Sequence, residues 1–143
     1  MKIFNLIFKL SFLFLLCFIL NTNPACKGPE EYKPPDDSLA EPPAAPQLLF
    51  PPMDTEYVLV PDPGVVQIDF DWTAVSGTEY YELEYSSNPD FINGTTETSS
   101  SDGLTILFSS PMDIYWHVRA ASSAWKWYTD WSEVRYFRIR PPL

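Results

Sequence analysis

Four carboxylates stand two residues apart in pairs, Asp69 with Asp71 and Glu82 with Glu84. On an extended chain, residues two apart share a face. Each pair is therefore a candidate for paired-carboxylate acid–base chemistry or for a calcium patch. Both pairs also alternate with apolar residues, which makes them the solvated side of two strands. Calcium sites draw on loops with glycine and carbonyl ligands, so the solvated reading is preferred. His117 is the only imidazole. It sits between Trp116 and Val118, where alternation turns it to the outer face of its strand, and there is no second histidine to share a metal. No serine lies in a Gly-x-Ser-x-Gly elbow, and the 5 glycines form no phosphate loop. No catalytic residue, metal site or cofactor is expected. One other cluster could do chemistry: Trp125-Lys126-Trp127-Tyr128. Three aromatics around one lysine cannot all face a core from one short loop. Some are expected to be exposed, where they can stack on sugar rings or anchor a protein partner. Otherwise they pack against Trp131, Arg119 or Arg135 as an aromatic–cation stack.

The balance of 9 Lys+Arg against 19 Asp+Glu, a net charge of −10 over 143 residues, speaks against nucleic acid, whose phosphates need a basic face. An aromatic content of 16% is too high for a disordered chain. Two cysteines, Cys17 and Cys26, are too few for a disulfide framework. Lys2 and Lys9 precede an apolar run over 10–20, and Asn21-Thr22-Asn23-Pro24-Ala25 follows. That three-part layout predicts a secretory signal peptide over residues 1–25. The run is short for a bilayer span, which takes about 20 residues; an uncleaved anchor is the rival if the run is started at Ile3. Cleavage after Ala25 would remove two lysines and no acid, taking the net charge from −10 to −12. Cys26 would then be the first residue and the only cysteine.

Ala25-Cys26 after an apolar run resembles the start of a bacterial lipoprotein, whose lipobox cysteine is acylated. Asn23 and Pro24 depart from the aliphatic pattern of that family. The resemblance implies a membrane attachment through lipid on Cys26. Lys27 stands where inner-membrane retention uses Asp, which implies the outer membrane or cell surface. The acidic residues that follow loosely resemble the export signals of Bacteroidetes surface lipoproteins. A plain secreted or periplasmic protein with a leftover thiol is the alternative.

Residues 26–46 hold Pro29, Pro34, Pro35, Pro42, Pro43 and Pro46 together with Glu30, Glu31, Asp36, Asp37 and Glu41. Proline fixes φ and removes donors. The segment is expected to be an extended, solvated acidic tether reaching up to about 60 Å at the polyproline rise.

Residues 47–143 alternate with period two, the mark of half-buried strands. Leu48-Leu49-Phe50 is cut short by Pro51-Pro52. Val66, Ile68, Phe70 and Trp72 alternate with polar residues, as do Tyr81, Leu83 and Tyr85. Leu104, Ile106 and Phe108 follow, then Ile114, Trp116 and Val118, and last Val134, Tyr136 or Phe137, and Ile139. Asp62-Pro63-Gly64, Ser76-Gly77, Asn88-Pro89-Asp90 and Asn93-Gly94 supply turns. About seven short strands in roughly 100 residues indicate a β-sandwich.

The proline-rich entry, Phe70-Asp71-Trp72-Thr73-Ala74-Val75-Ser76-Gly77, Tyr80-Tyr81-Glu82-Leu83-Glu84-Tyr85, Tyr115-Trp116-His117-Val118-Arg119-Ala120 and Trp131-Ser132 together resemble the fibronectin type III family in its bacterial form. The resemblance implies a seven-stranded fibronectin type III (Ig-like) sandwich, with Trp72 in the core facing Tyr81 and Leu83 of the opposite sheet. Ile114 stands where the family places a corner tyrosine, so the link before it is expected to be held by packing. Trp131-Ser132 resembles half of the Trp-Ser motif of cytokine-receptor members. Function is read as a non-enzymatic binding or spacer module at the cell surface. One alternative is a carbohydrate- or matrix-binding adhesin using residues 125–128; another is an accessory subunit of a glycan-processing enzyme using the carboxylate pairs. The ligand, protein or glycan, is not legible in the sequence.

Overall fold

The computed structural model describes residues 37–142. The expected signal peptide and Cys26 lie outside the described residues. Eight strands follow one another: β1 (Leu48–Phe50), β2 (Thr55–Val58), β3 (Val66–Trp72), β4 (Tyr80–Ser86), β5 (Thr95–Ser99), β6 (Gly103–Phe108), β7 (Met112–Ala121) and β8 (Arg135–Arg140). They form a three-stranded sheet in the order β1-β3-β6 and a five-stranded sheet in the order β2-β8-β7-β4-β5. Every pairing is antiparallel except that of β2 with β8, the second strand with the last.

The alternation read from the sequence sets the two faces. In β3, Ile68, Phe70 and Trp72 are buried while Gln67, Asp69 and Asp71 are exposed. Tyr81 and Leu83 of β4, Trp116 and Val118 of β7, and Phe137 and Ile139 of β8 meet them from the other sheet. Trp72 lies 5.4 Å from Tyr81 between ring centroids, the cross-sheet contact expected of it. The Tyr81 hydroxyl also accepts the Val75 N–H at 2.8 Å, which braces the β3–β4 connection. Ile114, in the corner position, is 1% exposed and joins the core by packing.

Three expectations need correction. The sandwich has eight strands, not seven. β2 shows only one core-packed apolar residue, Tyr57, and lies between proline-marked turns, so it reads as linker. β5 reads Thr-Thr-Glu-Thr-Ser and has no apolar face at all. β-branched threonine still suits a pleated edge, and the strand pairs with β4 through five residues. The last strand takes its inward register from Phe137 and Ile139, while Val134 is 41% exposed and precedes β8.

The third correction concerns the end of the expected tether. Ala40 forms a parallel bridge with Trp125, donating to the Ala124 carbonyl at 3.0 Å and accepting from Lys126 N–H at 3.0 Å. Glu41 pairs with Lys126 Nζ at 2.8 Å, and Pro46 is buried. Residues 40–46 are thus fastened to the sandwich. Their prolines lack donors, but alanine between them has one to give.

Candidate functional site

The outer face of the five-stranded sheet carries the densest polar and aromatic chemistry among the described residues. In the β4–β7 register Glu82 stands opposite Arg119 and Glu84 opposite His117. Directly opposed residues on one face are near neighbours, so both become hydrogen-bonded pairs. Arg119 donates from Nε and Nη2 to Glu82 Oε2 at 2.8 and 2.6 Å. His117 Nε2 donates to Glu84 Oε2 at 3.0 Å, which places the ring proton on Nε2.

Two connections fold over this face. The β4–β5 turn, fixed by Asp90 N–H donating to Asn88 Oδ1 at 2.8 Å, lays Phe91 on His117 with centroids 3.9 Å apart and planes within 5°. Trp131 stacks on the other side of the imidazole at 3.9 Å and 6°. Arg119 Cζ lies 4.4 Å from the Trp131 ring and 3.8 Å from the Tyr128 ring. The result is a ladder in the order Phe91, His117, Trp131, Arg119, Tyr128. His117 is on the outer face as expected, yet only 8% exposed, because the turn and the β7–β8 connection cover it.

Backbone pairing fixes that connection. Thr129 Oγ1 accepts the Ala120 N–H at 2.9 Å, and Ser132 Oγ accepts the Val118 N–H at 3.0 Å. Their own N–H groups donate to the carbonyls of Ala120 and Val118 at 3.0 and 2.9 Å. Side-chain hydroxyls take the role of a neighbouring strand's carbonyls, so residues 129–132 splice onto β7 before β8 begins. From the sequence, Trp131-Ser132 was expected as a half-motif and Tyr128 only as a member of the 125–128 cluster. Tyr128-Thr129 is the same aromatic–hydroxyl pair as Trp131-Ser132, three residues earlier, and that repeat was the missed signal.

Burial lowers the His117 pKa below its ordinary 6.5, against the opposing pull of the hydrogen bond and charge of Glu84; Arg119 adds to the lowering. The unfolded chain therefore takes up this proton before the folded one does. The contribution is fully present above about pH 6.5, is lost as pH falls through 6.5 toward the lower folded value, and then levels off. Urea denaturation at pH 7.5 and 5.5 should give a lower midpoint at pH 5.5. The drop should be smaller in His117→Phe, and equal drops would refute the assignment. Tyr128 has its phenol pKa raised to about 12, first by its hydrogen bond with Tyr80 at 3.3 Å and then by the Glu82 charge.

The four residues of the aromatic cluster go to four different places. Trp125 is 8% exposed and belongs to the core. Its indole lies against Gly77, whose φ of +83° suits glycine and where an added Cβ would come within 3.6 Å of the ring. Lys126 is held by Glu41. Tyr128 ends the ladder. Trp127 alone keeps an open face, at 52% exposure.

The carboxylate pairs do not converge. β3 and β4 belong to different sheets, so Asp69 and Asp71 face outward on one side of the sandwich and Glu82 and Glu84 on the other. Asp69 accepts the Thr105 hydroxyl at 2.7 Å and Gln67 Nε2 at 3.3 Å. Taken one pair at a time, as the accessory-subunit alternative has them, Glu82 and Glu84 are engaged by Arg119 and His117. Among the described residues no group of three or more His, Cys, Asp or Glu could hold a metal ion.

The fold and this face define a two-sheet, Ig-like all-β module with a stacked ladder on its larger sheet. Solved structures similar to the chain are described as fibronectin type III domains or as like them. An Fn3-like protein from Clostridium thermocellum is 18% identical, with 73% of this chain and 97% of that one covered and a TM-score of 0.44. The fibronectin type-III domain of human fibronectin type III domain containing protein 3 is 15% identical, covering 78% and 94%, with a TM-score of 0.46. The fibronectin type III domain derived from human KIAA0970 protein is 14% identical, covering 70% and 76%, with a TM-score of 0.47. No protein-family model and no curated protein matches the chain.

Proposed function

We propose that the chain is a non-enzymatic binding and spacer module, exported and held at a cell surface by lipid on Cys26. The observation that carries the reading is how the domain uses its reactive groups. Glu82, Glu84, His117 and Arg119 are paired with one another, and their rings and forks are capped by Phe91, Trp131 and Tyr128. Groups fixed in this way stiffen a surface rather than transfer protons. The signal-like start and the cysteine directly after Ala25 support the anchor. Since Ala40 is bonded to the domain, the spacer in this reading runs only from Cys26 to about residue 39, a reach of roughly 40 Å at the polyproline rise.

Cells expressing the full chain and fed radiolabelled palmitate should label it, and the Cys26→Ala chain should lose that label. Equal labelling of the two would end the lipid-anchor reading.

A further inference from the structure

Trp127 is the aromatic that the ladder leaves over. It forms one wall of a groove of about 290 Å³ whose other lining residues include Glu79, Tyr80, Ser122, Ser123 and Tyr128. The lining brings three aromatic rings together with a carboxylate and two serine hydroxyls. The Glu79 carboxylate accepts the Ser123 hydroxyl at 2.5 Å, and the Tyr80 and Tyr128 hydroxyls meet at 3.3 Å. A ligand that fits must be amphipathic in the same sense, with one apolar face to lie on the indole and an edge of hydroxyls to meet the carboxylate and serines.

Aromatic grooves also take organic cations, which they hold among several free ring faces. Arg119 and Lys126 are each paired with a carboxylate, Glu82 and Glu41, so neither repels such a ligand. Arg119 Cζ does stand 3.8 Å over the Tyr128 ring, so the cage of ring faces is incomplete and Trp127 is the open aromatic of the groove. A single open indole suits the flat apolar face of a neutral sugar. Trp125, named with this cluster in the sequence, takes no part, since it is in the core.

We propose that this groove binds one hexopyranose unit of a neutral glycan. The inference rests on the binding-module reading and names its ligand class; it does not depend on the lipid anchor. A site for one sugar on an open face binds weakly by itself, so retention requires many copies displayed together.

The test uses the full chain in a detergent without sugar headgroups. It is applied to a dense array of neutral glycans built from glucose, galactose, mannose and N-acetylhexosamines, with choline and primary-amine spots beside them. At least one neutral-glycan series should be retained. Trp127→Ala should lose at least about tenfold of that signal, as removal of a central aromatic anchor does, while Trp127→Phe keeps most of it. Circular dichroism of both variants should match the parent, because the ring lies outside the ladder. Cys26→Ala should give the same array pattern as the parent, which separates this result from that of the palmitate experiment. Failure to retain any neutral glycan, equal retention by Trp127→Ala, or retention on the choline or amine spots instead would overturn the proposal.

Discussion

Replacing Phe70 with alanine should destabilise the domain by about 3–5 kcal/mol, the usual cost of deleting a fully buried aromatic. Phe70 is 0% exposed and sits on the middle strand of the smaller sheet. Its ring meets Trp116 edge-on at 4.9 Å and Phe137 at 5.9 Å, both on the larger sheet, and Phe108 at 6.5 Å on its own. It is therefore a bolt between layers, and neighbours held in two hydrogen-bonded sheets cannot collapse far into the void. A domain of this size has about 5–10 kcal/mol in total, so the variant should retain only a small reserve. Urea denaturation of Phe70→Ala and Phe70→Leu measures it, with Leu expected to cost clearly less because it keeps most of the volume. A loss below about 2 kcal/mol for alanine would show that the sheets are held together elsewhere.

Trp131→Ala should cost about 2–3 kcal/mol, less than a core tryptophan because its ring is only half-buried. The ring touches His117 on one face and Arg119 on the other. Its loss opens both to water while leaving the Thr129 and Ser132 hydroxyls bonded to β7. Burial is the main force lowering the His117 pKa, so the variant should return that pKa toward 6.5 and shrink the pH dependence of stability. Imidazole resonances followed by NMR across pH 4.5–8 report it directly. An unchanged titration would mean that Phe91 and Glu84 alone set the environment of His117.

The two layers were legible because β3, β4 and β7 each alternate apolar with polar residues, and burial follows that alternation except at the ends of β4 and β7 and at His117, which the ladder covers. β5 was not legible, because its pairing rests on backbone hydrogen bonds and threonine sterics, and a strand exposed on both faces leaves no apolar pattern. The ladder was half legible. Trp131, Arg119 and the 125–128 cluster could be named as stacking partners from composition and strand phase. The place of Phe91 depends on a β4–β5 turn in which Phe91 itself has φ +56°, and nothing in its neighbours' types marks that. The fate of Trp125 was equally hidden, since whether an indole in a loop turns inward depends on a gap beside Gly77 that only the folded chain creates. The bridge at Ala40 is backbone chemistry, invisible behind a proline-rich composition that reads as open chain.

The parallel pairing of β2 with β8 has a mechanical consequence. Thr55 to Val58 lie alongside Phe137 to Arg140, and the second strand and the last run in the same direction. A pull applied to the chain on either side draws them past each other lengthwise. The hydrogen bonds between them then share the load and must fail together, whereas the rungs of a hairpin pulled apart at its open end fail singly. Ion pairs from Arg138 to Asp54 at 2.7 Å and from Arg140 to Glu56 at 3.2 Å tie the same two segments. Tension from the N-terminal side first meets the Ala40 bridge and the short β1–β3 pairing; beyond them, β2 and β8 are joined in shear rather than rung by rung.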